Sequence, residues 1–193
     1  MSELFLQTGL RLLPYIRAGD LESCEKLVIA QMQSLPRSPF DVAINLEISN
    51  DPGDAAKHFD RFFRSEAQRF KVAAAYTEMN GFDINPDLWY CDLFAYPSYG
   101  GHNEYEWLCN PPSQHFEEYV IRGLEIVQAT YASHAFHDDR FRESAGMCTL
   151  LVLIKFQRFM KKAAARMTEL KFPLLVTAHD FDLISEFGPA SAH

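Results

Sequence analysis

Hydrophobic positions at helical spacing recur in five stretches of the chain and predict five helices. Three lie in the first half, over 3–12, 20–34 and 52–70, with Asp20 capping the second and Pro52 opening the third. Ser113 is placed to cap a fourth that extends to Tyr131. The fifth, over 142–170, is apolar nearly all round in its middle, which predicts a buried central helix near the C-terminus.

Period-two alternation from Val42 to Ile48 predicts a strand with one buried face. Strand-forming residues also fill 71–79, 88–96 and 174–178, although Ala73 to Ala75 would also suit a longer preceding helix. Turn residues between 71–79 and 88–96 predict that these two form a hairpin. The expected fold is α+β, a small and mostly antiparallel sheet of about four strands covered by five or six helices.

Length and composition predict a single domain over 1–193. The chain has 193 residues, of which 48% are hydrophobic, and it shows no linker or internal repeat. Its four cysteines form no C-x-x-C pair, and the N-terminus lacks the pattern of a signal peptide. No apolar run approaches the ~20 residues that a membrane-spanning helix needs. We therefore expect a soluble, cytoplasmic protein with reduced thiols.

The charge balance narrows the classes of partner. The formal net charge is −8 and the isoelectric point is about 5.3. Such a chain is poorly suited to nucleic acid, because affinity there depends on neutralising phosphates. It fits ordinary solubility, or a protein partner with a basic surface.

Acidic residues lie on three of the predicted strands, at Glu47, Glu78 and Asp92. If these strands are neighbours, the carboxylates could share one face and hold a cation or meet a basic partner. The alternative is an ordinary solvated face, since a one-residue change of register moves every side chain to the other side.

The stretch 97–112 is rich in aromatic and acidic residues and predicts an irregular loop. Its candidate binding residues are Tyr99, His102, Tyr105, Glu106 and Trp107. Tyrosine and tryptophan on a loop are typical of interface hot spots. They are equally typical of a loop that folds back and closes a small core, and the sequence leaves both open.

Two histidine motifs are the candidates for chemistry. His134 and His137, followed by Asp138, have spacing that could bind a metal, but the same residues suit the end of one helix and the start of the next. His179 and Asp180 follow the last predicted strand, where a carboxylate could orient a histidine base. No nucleophile motif accompanies either, so we predict no catalytic residue, no bound metal and no cofactor.

The stretch 71–108 resembles small bacterial α+β domains of the toxin-immunity type. The resemblance rests on Ala75-Tyr76-Thr77-Glu78, Trp89-Tyr90, Phe94-Ala95-Tyr96, Tyr99-Gly100-Gly101 and Glu106-Trp107-Leu108. It implies a protein that binds a cognate toxin and blocks it without catalysing a reaction. The long helix after Arg142 has no counterpart in that resemblance.

The sequence therefore predicts a non-enzymatic protein that binds a basic protein partner through the acids and the loop 97–107. The alternative is a metal-dependent or His/Asp hydrolase of unspecified substrate, using His134 and His137 or His179 and Asp180. The residues carry no signal for oligomeric state.

Overall fold

The computed structural model describes residues 2–101 and 105–188. Within these ranges the chain forms the helices α1 Glu3–Arg17, α2 Leu21–Ser34, α3 Pro52–Ala67, α4 Glu125–Tyr131 and α5 Arg142–Ala164. The strands are β1 Ala74–Asn80, β2 Tyr90–Tyr96, β3 Tyr119–Val120, β4 Leu174–Ala178 and β5 Ser185–Phe187. Short 3₁₀ helices cover Pro39–Asn45, Glu106–Cys109, His134–His137 and Asp139–Phe141.

The described strands make one sheet in the order β3-β2-β1-β4-β5. Strand β1 pairs antiparallel with β2 and parallel with β4, and the two edge strands pair antiparallel with their neighbours. The predicted hairpin of 71–79 with 88–96 is therefore confirmed. The α+β class, the mostly antiparallel sheet and the long helix near the C-terminus are confirmed as well.

Alternate residues of the strands face opposite sides, and one side forms the core. This core face carries Ala75, Thr77 and Met79 of β1, with their register partners Cys91, Leu93, Ala95, Leu174, Val176 and Ala178. Helix α5 packs against it and is buried over almost its whole length, as its all-round apolar middle predicts. Gln157 of α5 donates through Nε2 to the backbone oxygen of Val176 at 3.1 Å, which ties the helix to β4.

The opposite side is the back face, defined by Tyr76, Glu78 and Asn80 of β1 and by Tyr90, Asp92, Phe94 and Tyr96 of β2. The loop after β2, which includes the 3₁₀ helix Glu106–Cys109, and the loop after β4 line a cleft on this face. Among the described residues, no helix is long and apolar enough to cross a membrane.

The predicted strand 42–48 is wrong, because its first half is 3₁₀ helix. Ser38 and Asp41 form a reciprocal capping box, and Pro39 holds the first position of this helix. The buried side chains are Phe40 and Ala43, whose spacing of three matches the 3₁₀ turn. The alternation of apolar residues therefore did not reflect a strand.

A buried lysine stabilises this departure from the sheet. Lys155 of α5 lies with its side chain 1% exposed, and its Nζ donates to the backbone oxygens of Ile44, at 3.3 Å, and of Leu46. Backbone oxygens that would have bonded to a neighbouring strand are thus satisfied by a side chain.

The predicted helix from Ser113 to Tyr131 is also wrong over its first half. Residues Tyr119 and Val120 instead pair with β2 as β3, and only α4 remains helical. Asn50 holds this extended path, because its Nδ2 donates to Val120 O at 2.9 Å and its Oδ1 accepts from Arg122 N at 2.7 Å. Gly123 follows with φ +94°, a conformation that favours glycine.

Helix α5 stops at Ala164, before the predicted end at Leu170. The carboxylate of Asp60 on α3 accepts hydrogen bonds from the backbone N–H groups of Thr168 and Glu169, at 2.9–3.1 Å. These bonds stabilise a turn in place of further helix, because a side chain supplies the acceptor that a helical carbonyl would have provided.

Candidate functional site

Two carboxylates lie side by side on the back face. Glu78 of β1 and Asp92 of β2 are direct register partners, so their side chains emerge next to each other on the same side. Like charges placed opposite each other across two strands are destabilising. The row of acids expected from the sequence therefore exists for these two residues.

Both oxygens of Glu78 are used, and its side chain is only 14% exposed. Tyr76 donates its hydroxyl to Oε2 at 2.7 Å, and Nδ1 of His179 lies 2.9 Å from Oε1. The hydrogen bond to Glu78 is the main reason that the pKa of His179 is raised above its ordinary value. Tyr76, Glu78 and His179 form one hydrogen-bonded chain.

Backbone pairing explains why His179 reaches Glu78 from a distant part of the sequence. Strand β4 runs parallel to β1, so the two strands end side by side. The backbone N–H of His179 donates to Met79 O at 3.1 Å and extends that pairing by one residue. The imidazole is then held over the end of β1, 41% exposed.

Asp92 carries less compensation than Glu78. Asn80 donates its Nδ2 to Oδ2 of Asp92 at 2.6 Å. Burial raises the pKa of Asp92, and the negative charges of Glu78 and Glu118 raise it further. The carboxylate is thus held in a position where its charged form is disfavoured.

Beside these groups lies the acidic cleft, a cavity of about 610 Å³. Its rings are Tyr76, Phe94, Tyr96, Tyr105 and Phe181, and its acids are Glu78, Asp180 and Asp182. Among the described residues that line it, none is a lysine or an arginine, and His179 is the basic group. Aromatic faces combined with carboxylates suit a cationic ligand.

The loop after β2 packs against the sheet and forms one side of the acidic cleft. Trp107 is half-buried, with its ring 4.9 Å from that of Tyr96 and 5.7 Å from that of Tyr99. A Cβ on Gly100 would come within 2.2 Å of the Trp107 ring, so the glycine allows this close approach. The sequence left two alternatives for this loop, an interface hot spot or a segment that folds back on the core. The packing of Trp107 matches the second.

The other predicted loop residues have varied settings. Tyr99 is exposed and donates its hydroxyl to Glu186 of β5 at 2.5 Å. Tyr105 lines the acidic cleft, and Glu106 is exposed. His102 lies outside the described residues.

Glu47 is not part of the acid pair. It follows the 3₁₀ helix rather than lying on a strand, and its Oε1 is 3.4 Å from Nζ of Lys155. Its inclusion in a strand cluster is wrong because the segment 42–48 does not join the sheet.

The residues of the His134 motif form local turns and are not part of this arrangement. His134 and His137 are exposed on a 3₁₀ turn, and Asp138 caps the next turn and pairs with the Arg140 guanidinium. Across 2–101 and 105–188, no group of three His, Cys, Asp or Glu side chains is placed to hold a metal ion.

Sequence reasoning found Glu78, Asp92 and His179 separately but missed that they meet. It also missed Tyr76 and Asn80, which hold the two carboxylates. Their signal was available, because residues 76, 78 and 80 share one face of a strand by simple alternation. The meeting with His179 depends on non-local pairing of β4 with β1.

Comparison with known proteins found no family model, no curated protein sequence and no solved structure that matches this chain. The chemistry of the site is therefore argued from its geometry. A histidine oriented by a carboxylate can accept a proton at Nε2, and paired carboxylates beside aromatic rings can bind a cation.

Proposed function

We propose that this chain is a non-enzymatic binding protein whose back face receives a positively charged surface of a protein partner. The observation that carries the proposal is the pair Glu78 and Asp92, held side by side on the back face, with Glu78 also lining the acidic cleft. Among the described residues, the side chains that contact these carboxylates are Tyr76, Asn80 and His179, and none is a lysine or an arginine.

The energetics of the pair favour this function. Burial of the Asp92 carboxylate, and after it the repulsion from Glu78 and Glu118, raise the pKa of Asp92, which shows that its charged form is disfavoured there. A lysine or arginine from a partner would neutralise the pair in a setting less hydrated than open water, where charge pairs interact more strongly. Aromatic side chains at Tyr76 and Phe94, stacked with ring centroids 5.8 Å apart, provide apolar contact area for the aliphatic part of such a side chain.

The stretch that resembles immunity-type domains also supplies this face, since both acids lie within 71–108. A toxin with a basic surface is therefore the kind of partner we propose. The net charge of −8 would accelerate the encounter with such a partner, and salt would weaken it.

The proposal is tested by quantitative capture from a lysate of the native cells, with four purified baits. These are the wild type, Asp92→Asn, the double variant Glu78→Gln/Asp92→Asn, and the control Glu22→Gln/Asp87→Asn. The control removes the same two charges from exposed positions on α2 and the loop before β2. Circular dichroism confirms that each bait is folded.

We expect one basic protein at near-stoichiometric yield on the wild type and the control, and little on the double variant. Asp92→Asn should reduce capture about tenfold or more, the effect expected when one charge of a close pair is removed. Equal capture by all four baits would place the contact elsewhere and contradict the proposal. Capture of no protein, under conditions where the control bait is folded, would also count against it.

A further inference from the structure

A second cavity lies at the end of the sheet where the parallel strands β1 and β4 finish. Its volume is about 500 Å³, within the usual range for small-molecule sites. The loops that leave β1 and β4 line it, together with one face of the first turns of α5. Ligands of sheet proteins commonly bind at the carboxyl ends of parallel strands.

Aromatic rings form the walls of this cavity, which we call the aromatic pocket. They are Phe5, Phe82, Tyr131, Phe136 and Phe181. Neighbouring rings stand 5.3–6.1 Å apart, centroid to centroid, in edge and tilted arrangements. On α5 the lining residues are Arg142, Ala145, Gly146 and Thr149, and the ring of Phe5 packs against Gly146, where an added Cβ would come within 3.2 Å of it. The shape and chemistry suit a planar aromatic group.

Backbone strain is concentrated in the same two loops. Phe82 has φ 59° and Asp180 has φ 62°, and within the described chain they are the two non-glycine residues with positive φ. Aspartate tolerates this region, but a bulky residue such as phenylalanine rarely adopts it. Both residues line the aromatic pocket. Strain of this kind persists where surrounding structure enforces it, and it clusters at ligand sites.

Charged groups of both signs line the aromatic pocket. Arg142 and His179 provide the positive groups, and Asp83 and Asp180 provide the negative ones. Arg142 also pairs with Asp139, but a guanidinium has five N–H donors and can bind a further anion. Aromatic rings next to charged groups of both signs suit a ligand that has an apolar body and carries one positive and one negative charge.

We propose that the aromatic pocket binds a zwitterionic aromatic small molecule of the amino-acid type. The ring lies against Phe136 and Phe181, the two partly exposed rings of the pocket, the carboxylate pairs with Arg142, and the ammonium pairs with Asp83 and Asp180. This site adjoins the acidic cleft, but its occupation by the small molecule does not depend on the proposed protein partner. The two cavities share His179, Asp180 and Phe181 at their boundary.

Isothermal titration of the full chain with L-phenylalanine, L-tyrosine and L-tryptophan tests this. Two analogues separate the charges, because 3-phenylpropionate lacks the ammonium and phenethylamine lacks the carboxylate. We expect saturable binding of at least one amino acid, and about tenfold weaker binding of each matched analogue, the loss of one charge-assisted contact.

Variants assign the contacts. Arg142→Gln should weaken binding of the amino acid about tenfold and leave binding of phenethylamine unchanged, because phenethylamine has no carboxylate. Asp83→Asn should likewise weaken binding of the amino acid and leave binding of 3-phenylpropionate unchanged, because 3-phenylpropionate has no ammonium. Arg140→Gln is the matched control, an exposed arginine two residues away that does not line the pocket. Absence of saturation by all three amino acids at about 10 mM would overturn the proposal. Equal affinity for amino acids and analogues, or no effect of Arg142→Gln, would overturn it as well.

Discussion

The two faces of the central strands use alternate residues of the same sequence for opposite purposes. On the core face, Met79 and its partners Cys91 and Ala178 are fully buried and apolar. At the neighbouring positions of β1 and β2, Glu78 and Asp92 put two carboxylates side by side on the back face, and Glu78 lines the acidic cleft. The core face stabilises the fold, whereas the back face carries a charge arrangement that folding alone does not favour.

Buried charge shows the same difference between the two regions. Lys155, on the core side, meets backbone oxygens as well as Glu25 at 3.7 Å and Glu47 at 3.4 Å. Its charge is therefore compensated from several directions. Glu78 and Asp92 have mainly neutral donors and one histidine. A buried charge with full compensation is structural, whereas one with less compensation is a candidate for a binding site.

The largest effect on stability should come from removing the compensated charge of Lys155. We expect Lys155→Ala to lower the free energy of unfolding by about 3–5 kcal/mol, because it leaves two backbone oxygens without a donor and removes one of the two cations that pair with Glu25, the other being Arg158. Urea denaturation measures this. Lys162→Ala on the same helix is the control, since Lys162 is exposed and should change stability by less than about 0.5 kcal/mol. Similar losses in both variants would contradict the assigned role of Lys155.

Local sequence signals predicted much of the core face and less of the back face. The alternation and turn residues of 71–96 were enough for the hairpin, and the apolar middle of 142–164 was enough for the central helix. The 42–48 segment misled because Ser38, Pro39 and Asp41 favour a capped 3₁₀ helix whose buried residues also look periodic. A local cap can prevail over an alternating pattern when no neighbouring strand is available.

The candidate site depends on contacts between distant residues. Glu78 meets Asp92 only in one hairpin register, and it meets His179 only because β4 runs beside β1, about a hundred residues later in the chain. No periodicity specifies such a pairing, since register and strand order arise from the packing of the whole domain. Trp107 shows the same limit, because its packing on Tyr96 requires the fold.

The second effect concerns the histidine on the back face. We expect Glu78→Gln to lower the pKa of His179 towards its ordinary value of 6.5, because the charged acceptor of its Nδ1 proton is lost. Two-dimensional NMR titration of the imidazole measures this. Because folding raises this pKa, the protonated His179 stabilises the fold below pH 6.5, and this stabilisation is lost as pH rises through the folded-state pKa. In Glu78→Gln the stability should depend less on pH over this range.

Asp180→Asn is the control for the effect of Glu78→Gln on the pKa of His179. Asp180 is 82% exposed, and its Oδ2 lies 3.7 Å from Nε2, so its removal should lower the pKa less than Glu78→Gln does. An unchanged pKa in Glu78→Gln would contradict the hydrogen-bonded chain. Turnover of an ester substrate that disappears in His179→Gln would favour the hydrolytic alternative over the binding function.

The smallest effect should come from removing the charge of Asp92, the less compensated of the two acids. Because folding raises the pKa of Asp92 above 3.8, its charge lowers stability as pH rises above that value. We therefore expect Asp92→Asn to raise the free energy of unfolding at pH 7 by about 0.5 kcal/mol, while it weakens capture of the basic partner. Urea denaturation at pH 7 and at pH 3 measures the change, which should vanish at the lower pH, and the exposed Asp87→Asn should show no such gain. A loss of stability in Asp92→Asn would mean that the carboxylate serves the fold through Asn80, and the contrast between the two faces would fail at this position.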